Sequence, residues 1–397
     1  MICLIKKISV SNIISELQTP AFLYDESAIL EKLGILSEVG RRSGCKILFP
    51  LKPFSISDGL YLIAANVNGF SVSSLFEAKL ARDILGEEKM VHITTPGYRA
   101  DEVEEISRLC DYISFNSLSQ LKSFYYQVEN EASCGIRVNP QLSFVEDNRY
   151  NPCREHSKLG IPLKQLCKTY RQNPLFFKKI NGILFHTNCE SNDTTQLLRT
   201  VKHIDETLPE LLAKIKWINL GGGYLFDSRE DVLPLINAVN FLKNKYELDV
   251  FFEPGKAVVG DAGCMVSTVL DIFNNEGKDI AVLDTTVNHM PEVFEYQSRP
   301  EVMQESADGK YKYILAGASC LAGDLFGEYS FGRPLRAGSR ITFKTMGAYT
   351  FVKAHMFNGI NLPAIYAYTQ EGKIELKKEF NYEDFLSKCG GNKYVAL

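Results

Sequence analysis

Lys52 stands just past the β-prone run Lys46-Ile-Leu-Phe-Pro50, and an amine placed at a strand end can bond covalently to an aldehyde. His186 follows Gly182-Ile-Leu-Phe185 and opens His-Thr-Asn-Cys-Glu, while Gly221-Gly222-Gly223 follows Trp217-Ile-Asn-Leu. Glu253-Pro-Gly255 ends the run Val250-Phe-Phe, and the order closes with Ser319-Cys320-Leu-Ala-Gly-Asp324 and Met346-Gly-Ala-Tyr349. An imidazole can lie flat on a ring, and consecutive glycines let backbone amides approach a phosphate, to which a tyrosine hydroxyl can add a donor. A carboxylate beside a pyridine nitrogen favours its protonated form, and an accessible thiol can pass a proton. Taken as an ordered set, these residues meet the needs of bound pyridoxal 5'-phosphate, with Lys52 as its covalent anchor.

Each residue alone has a plainer reading. Lys52 can be a solvated flank of a strand, His186 a buried structural histidine, Glu253 an exposed strand end, and Cys320 a small buried hydrophobe. The three glycines lack the G-x-G-x-x-G spacing, which sets a dinucleotide fold aside and leaves an ordinary turn as the alternative. Neither the six histidines nor the ten cysteines show metal-ligand spacing, so no metal is expected.

The elements that must hold these residues alternate. Short β-rich runs (Ala21 to Tyr24, Lys46 to Pro50, Gly69 to Val72, Val91 to Thr94, Tyr112 to Phe115, Gly135 to Val138, Gly182 to Phe185, Trp217 to Leu220, Val250 to Glu253) are separated by helix-periodic stretches such as Ser27 to Ser43, Ser74 to Leu85, Ala100 to Leu109 and Thr194 to Leu208. Such alternation predicts a (β/α)8 barrel over residues 19–258, with Lys52, His186 and Glu253 at the C-terminal rim where active sites of this architecture collect. From residue 259 to 397 the runs Met265 to Ile272, Ile280 to Leu283, Tyr311 to Ala316, Arg340 to Phe343 and Ala364 to Tyr368 are parted by turn residues. The fold class is therefore α/β plus all-β: an N-terminal barrel and a C-terminal β-sandwich or β-barrel domain, joined by the β-prone Ile2 to Val10 within residues 1–18. A length of 397 residues suits two such domains.

Composition narrows the partners. A net charge of −4 gives no ground for nucleic acid, and no unbroken apolar run of roughly 18 residues predicts a membrane span. The opening Met-Ile-Cys-Leu-Ile-Lys-Lys is too short for a secretory core, and the cysteines show no C-x-x-C pair, so reduced thiols in a cytoplasmic protein with a small-molecule substrate are expected.

The residues from Thr19-Pro-Ala-Phe-Leu-Tyr to Phe357-Asn-Gly-Ile-Asn-Leu-Pro363 resemble the fold-type III, pyridoxal-phosphate-dependent amino-acid decarboxylases. That group has the alanine racemase-like barrel and includes the ornithine, arginine and diaminopimelate enzymes. Within it, Ser73-Ser-Leu-Phe-Glu77, His289-Met-Pro-Glu-Val, Ser319-Cys-Leu-Ala-Gly-Asp324 and Met346-Gly-Ala-Tyr-Thr are similar to the carboxynorspermidine/carboxyspermidine decarboxylase branch of polyamine biosynthesis. The resemblance implies a homodimer with shared active sites. It implies that Lys52 anchors the cofactor, His186 stacks on its ring, Glu253 holds its nitrogen, and Gly221, Gly222, Gly223, Gly255 and Tyr349 bind its phosphate. Cys320 would come from the other subunit to protonate the carbon that CO2 leaves, and Asp284 and Asp324 would hold ammonium groups of the substrate.

Some positions depart from that pattern. Lys256 follows Glu253-Pro-Gly255 where polyamine-type members carry an acid, Leu51-Lys52-Pro53 and Glu295-Tyr-Gln-Ser-Arg-Pro300 are altered, and Ser157-Lys158-Leu-Gly160 has lysine for arginine. A cation at the pocket edge repels a polycation, and Arg299 is a candidate for gripping a carboxylate. These features keep open a decarboxylase of the same fold acting on another amino acid. A non-catalytic pyridoxal-phosphate binder is the further alternative, against which the intact Cys320 segment argues.

Overall fold

A computed structural model describes Ile14 and residues 16–391. The chain forms two compact units, Leu30–Val258 and the segments that flank it on either side. The expected pairing of Ile2 to Val10 lies outside the described residues. β1 (Ala21–Asp25), read from sequence as the first barrel strand, belongs instead to the flanking unit. Its apolar run followed by the helix Glu26–Ser43 has the local look of a barrel repeat, but the barrel is complete without it.

The barrel strands are β2 (Lys46–Pro50), β3 (Gly69–Val72), β4 (Met90–Thr94), β5 (Tyr112–Phe115), β6 (Ser133–Asn139) with the two-residue β7 (Ile161–Pro162) appended to it, β8 (Gly182–Phe185), β9 (Trp217–Asn219) and β10 (Asp249–Phe252). Neighbours run parallel in the order β5-β4-β3-β2-β10-β9-β8-β6, and β5 pairs with β6 to close the ring. Strands covered on both faces need no polar alternation, and GFSV and GILF are buried at every position. The helices between them use local signals. Ser74 and Ser117 end the turns after β3 and β5, and their hydroxyls accept from the backbone of Glu77 and Gln120 to cap Leu75–Leu85 and Leu118–Val128. Leu197, Thr200, Val201 and Ile204 recur at helical spacing and form the buried stripe of Thr195–Thr207.

In the flanking unit, β11 (Gly263–Asn275), β12 (Lys278–Leu283), β13 (Tyr311–Ala316), β14 (Leu325–Phe331), β15 (Arg340–Phe343), β16 (Ala364–Tyr368) and β17 (Ile374–Lys378) join β1 in one sheet of order β14-β13-β12-β11-β1-β16-β17, with β15 beside β11. β1 is antiparallel to β11 and parallel to β16. The long β11 serves two sets of partners: its first half pairs with β1 and β15, its second with β12, and the register shifts between Val269 and Asp271. A bulge there bends the strand so that one chain segment can serve both.

Deep in the barrel Leu48, Trp217 and Phe251 form a core with Met90 and Tyr112. The indole N–H of Trp217 donates to Ser133 at 2.9 Å. Its ring fits only because its neighbours lack side chains: a Cβ on Gly182 would lie 1.9 Å from the indole, and one on Gly135 2.3 Å from it. Gly182→Ala should therefore overpack this core and cost about 1–3 kcal/mol. Denaturation followed by the fluorescence of Trp217, the sole tryptophan, reads both stability and ring position. Equal stability with unshifted emission would show that the indole is not wedged.

Candidate active site

Four consecutive neighbours in the ring, β8, β9, β10 and β2, carry the barrel's expected site residues at their C-terminal ends. His186 directly follows β8, Gly221-Gly222-Gly223 lies just past β9, Glu253 directly follows β10, and Lys52 sits two residues beyond β2. Backbone contacts lock these ends together. The amide of Leu51 donates to Ser71 O at 3.0 Å, that of Glu253 to Gly221 O at 2.7 Å, and that of Leu220 to Phe251 O at 2.9 Å. Gly255 lies against Pro50 and Pro53, whose rings a Cβ would meet at 3.0 Å, so the turn after Glu253 rests on the segment that bears Lys52.

The charges interact as a group. Lys52 is accessible to solvent, although protein crowds around it. Burial lowers its pKa below the ordinary lysine value and Arg137 of β6 adds to the fall, whereas Glu253, Cys189 and Glu77 oppose it. Glu253 moves the other way: burial raises its pKa, while hydrogen bonds from Asn219 and Ser71 and the charges of Lys52 and Arg137 pull it down. Burial, followed by the fields of Lys52 and Arg137, drives His186 well below its usual value. The amide of Gly222 donates to His186 Nδ1 at 3.1 Å, which puts the ring proton on Nε2. The site therefore holds a neutral flat imidazole, an amine with a raised neutral fraction, and a carboxylate whose neighbours offset part of the cost of charging it.

The glycine loop differs in part from its expected role. A Cβ on Gly222 would fall 2.0 Å from Glu253 O and one on Gly223 2.0 Å from Asn188 O, so protein backbone already demands glycine there. Gly221 and Gly223 also have φ of +63° and +89°. The Gly221 amide donates to Asn219 Oδ1 at 2.9 Å and the Gly222 amide to His186. Among the described residues, the Gly223 amide alone of the three donates to no protein acceptor. Beside it, the hydroxyl of Tyr224 lies close to Thr187 and Asn188, yet Tyr224 Oη, Thr187 Oγ1 and Asn188 Oδ1 make no well-formed hydrogen bond among the described residues. Buried polar oxygens normally have partners. Next to a free amide, a deprotonatable lysine and a carboxylate, these oxygens complete a donor and acceptor set that fits pyridoxal phosphate. Sequence reasoning gave no role to Arg137, Ser71, His92, Asn219 or Tyr224, and noted Glu77 only as the last residue of the Ser73-Ser-Leu-Phe-Glu77 motif; Asn219 and Tyr224 lie within two residues of the glycines.

Lys256 does not project a bare cation. Its ammonium pairs with Glu190 at 2.7 Å, and Glu190 holds a left-handed backbone, φ +55°, in the loop after His186. The charge reversal after Glu253-Pro254-Gly255 is thus balanced inside the barrel.

The flanking unit holds the other expected residues. Cys320 is exposed in the loop between β13 and β14, its amide donating to Asn358 Oδ1 at 2.8 Å. Asp324, expected to hold substrate, is 3% exposed and turned inward: it accepts from the amides of Val287 at 2.8 Å and Ser319 at 3.0 Å and from the Ser319 hydroxyl at 2.5 Å. It shapes the Cys320 loop. Asp284 is likewise taken up, by the hydroxyls of Ser267 and Thr19, each at 2.6 Å, and the amide of Thr268 at 2.9 Å. Arg299 donates to Glu305 and to the carbonyl of Glu328 and stacks 3.9 Å over Tyr329, so the carboxylate it meets within its own unit is Glu305. Tyr349 has φ +57° in a turn whose Gly347 crosses the backbone so tightly that a Cβ would lie 1.7 Å from Val259 O. A non-glycine residue in this region is uncommon and marks a position set by its surroundings.

Known proteins resemble this chain over nearly its whole length. Residues 35–260 match the family described as "Pyridoxal-dependent decarboxylase, pyridoxal binding domain". The carboxynorspermidine/carboxyspermidine decarboxylase of Campylobacter jejuni is 33% identical over 93% of this chain and 98% of its own. The carboxyaminopropylagmatine decarboxylase of a Synechocystis species is 35% identical over 95% and 97%. The crystal structure of the Campylobacter jejuni carboxynorspermidine decarboxylase complexed with norspermidine superposes with a TM-score of 0.84 at 33% identity, covering 94% of this chain and 100% of that one. With its lysine, histidine and carboxylate on adjoining strand ends and near-full-length likeness to such enzymes, the chain belongs to the pyridoxal-dependent decarboxylases.

Proposed function

We propose that the protein decarboxylates carboxynorspermidine and carboxyspermidine to the corresponding polyamines. The observation that carries this reading is the 33% identity with the Campylobacter jejuni enzyme, spread over 93% of the chain and so spanning both units. The Lys256–Glu190 pair supports it, because it cancels the one cation that argued against a polycationic substrate. The relative that acts on carboxyaminopropylagmatine favours a second reading of the same class, in which the far end of the substrate is a guanidinium rather than an ammonium.

In the reaction the bond from carbon to the carboxyl group breaks, CO2 leaves without the bonding pair, and a proton takes its place. Bound pyridoxal phosphate supplies the electron sink that accepts this pair. Lys52 would be the covalent anchor, and its lowered pKa raises the fraction of neutral amine available for that bond. Glu253 would hold the ring nitrogen and favour its protonated form, while the neutral His186 would stack on the ring without adding charge. The Gly223 amide, with Gly255 and Tyr349, serves the phosphate. Cys320, exposed on its own unit and shaped by Asp324, supplies the returning proton. The active form is a homodimer in which Cys320 is given to the partner's site, and the protein works in the cytoplasm; among the described residues no helix is long and apolar enough to cross a membrane.

With cofactor-loaded protein, labelled CO2 should be released from carboxynorspermidine and carboxyspermidine, and diaminopimelate, ornithine and arginine should be poor substrates. Release only from carboxyaminopropylagmatine would replace the first reading with the second. Cys320→Ala should slow turnover or misplace the proton, and unchanged product and rate would remove Cys320 from the mechanism.

Lys52→Met tests the anchor in two ways. Borohydride should no longer fix the cofactor to the protein, and retained fixation would assign the anchor to another lysine. In the cofactor-free protein the folded Lys52 has a pKa below the unfolded value, so the unfolded chain binds more protons and stability rises with pH between the two values. Lys52→Met should therefore stabilise the cofactor-free protein at neutral pH, with the gain fading toward about pH 10.5.

A further inference from the structure

We propose that Asn219, held in place by His92, is a positioning residue that sets the direction of Glu253 and of the glycine loop at the same time. The proposal rests on the reading of Glu253 as the partner of the ring nitrogen. Asn219 is fully buried at the end of β9, as are His92 of β4 and Ser114 of β5. One side-chain amide makes three contacts. Asn219 Oδ1 accepts from the Gly221 amide at 2.9 Å, and Nδ2 lies 2.6 Å from Glu253 Oε1 and 2.9 Å from His92 Nδ1.

Every role in this chain is forced. The Gly221 N–H can only donate, which assigns the oxygen of Asn219, and its two N–H groups must then serve Glu253 and His92. His92 Nδ1 is therefore an acceptor, its proton lies on Nε2, and that proton goes to Ser114 Oγ at 2.8 Å. The rings of Tyr112, Trp217 and Phe251 surround the imidazole at 5.1–6.2 Å between centroids. Burial among them lowers the pKa of His92 to about 3, so it stays a neutral acceptor wherever the enzyme works.

The amide thus bridges the two ends of the cofactor site. Its N–H favours the charged form of Glu253, against a burial that favours the protonated form. The other groups acting on Glu253 are Ser71 of β3, Lys52 after β2 and Arg137 of β6. Its oxygen holds the first glycine of the loop that ends at the free Gly223 amide. Without His92 the second N–H of Asn219 has no acceptor, and the amide loses the contact that fixes its plane. His92 acts through Asn219 alone and touches neither Glu253 nor the loop in the contacts above.

The test uses the full-length protein titrated with pyridoxal phosphate, reading dissociation constant and the pH midpoint of bound-cofactor absorbance, with thermal stability measured in parallel. Asn219→Ala and His92→Leu should each weaken cofactor binding by roughly tenfold, the loss of one hydrogen bond to a charged group, and move the ionisation of Glu253 upward. His92→Gln, whose amide oxygen can accept from Asn219, should restore both. The double variant should be no worse than Asn219→Ala, because His92 has no separate route to the site. Lowered stability with unchanged affinity and midpoint would reduce both residues to core packing and overturn the proposal, as would additive effects in the double variant. If His92→Leu does not fold, Asn219→Ala with His92→Gln decides: normal affinity and midpoint in the alanine variant overturn it. Glu253→Gln separates this result from the underlying reading. If that variant changes neither observable, the assignment of Glu253 fails; if it changes both while Asn219→Ala changes neither, only the positioning role fails.

Discussion

Glu253, closely surrounded by protein just past β10, is pulled toward its neutral form by desolvation and toward its charged form by its neighbours, and the arrangement of the barrel rim sets that balance. Desolvation pushes Glu253 toward its protonated form, so the fold surrounds it with an amide N–H from β9, a hydroxyl from β3 and two cations from β2 and β6. Supplying four such partners at one point needs strand ends that converge, which a closed parallel barrel provides and an open sheet does not. The same cations act on His186 and help to keep it neutral. The carboxylate and the imidazole thus answer to one local field.

Such a site works against the stability of the cofactor-free fold. Burial opposes the charged forms of both Lys52 and Glu253, and the backbone takes left-handed φ at Glu190 beside two positive-φ glycines. Strain and unfavourable burial collected at a functional site are offset elsewhere, here by continuously buried strands and the aromatic core around Trp217. The flanking unit follows the opposite rule. Asp284 and Asp324 accept from several of their own neighbours and Arg299 pairs with Glu305, so these charges shape loops and strand ends.

Much of the architecture was legible because local patterns carry it. Apolar runs such as GFSV and GILF, serine caps before helices and alternation at regular spacing place seven of the barrel strands close to their expected bounds and the eighth, β6, within a longer one. The miss at β1 has a physical cause: a strand followed by a helix looks alike whether it joins a barrel or lies parallel to a partner more than three hundred residues away. β17 escaped notice because an edge strand reading Ile-Glu-Leu-Lys-Lys is too charged to stand out from a loop.

Residue types and their order were enough to establish the cofactor class, the anchoring lysine as a candidate and the two-part architecture, because covalent chemistry and hydrophobic periodicity are properties of short segments. Which charges are free to act was settled only by folding. Asp284, Asp324 and Arg299 carry the right groups for a substrate, but each meets protein partners that its own segment does not announce, and Lys256 is paired with Glu190 across two strand ends. His92 shows the converse. Nothing in Met-Val-His-Ile-Thr singles it out, and its meaning comes from the convergence of β4, β5, β9 and β10 on one buried amide, since hydrogen-bond direction and desolvation depend on neighbours in space.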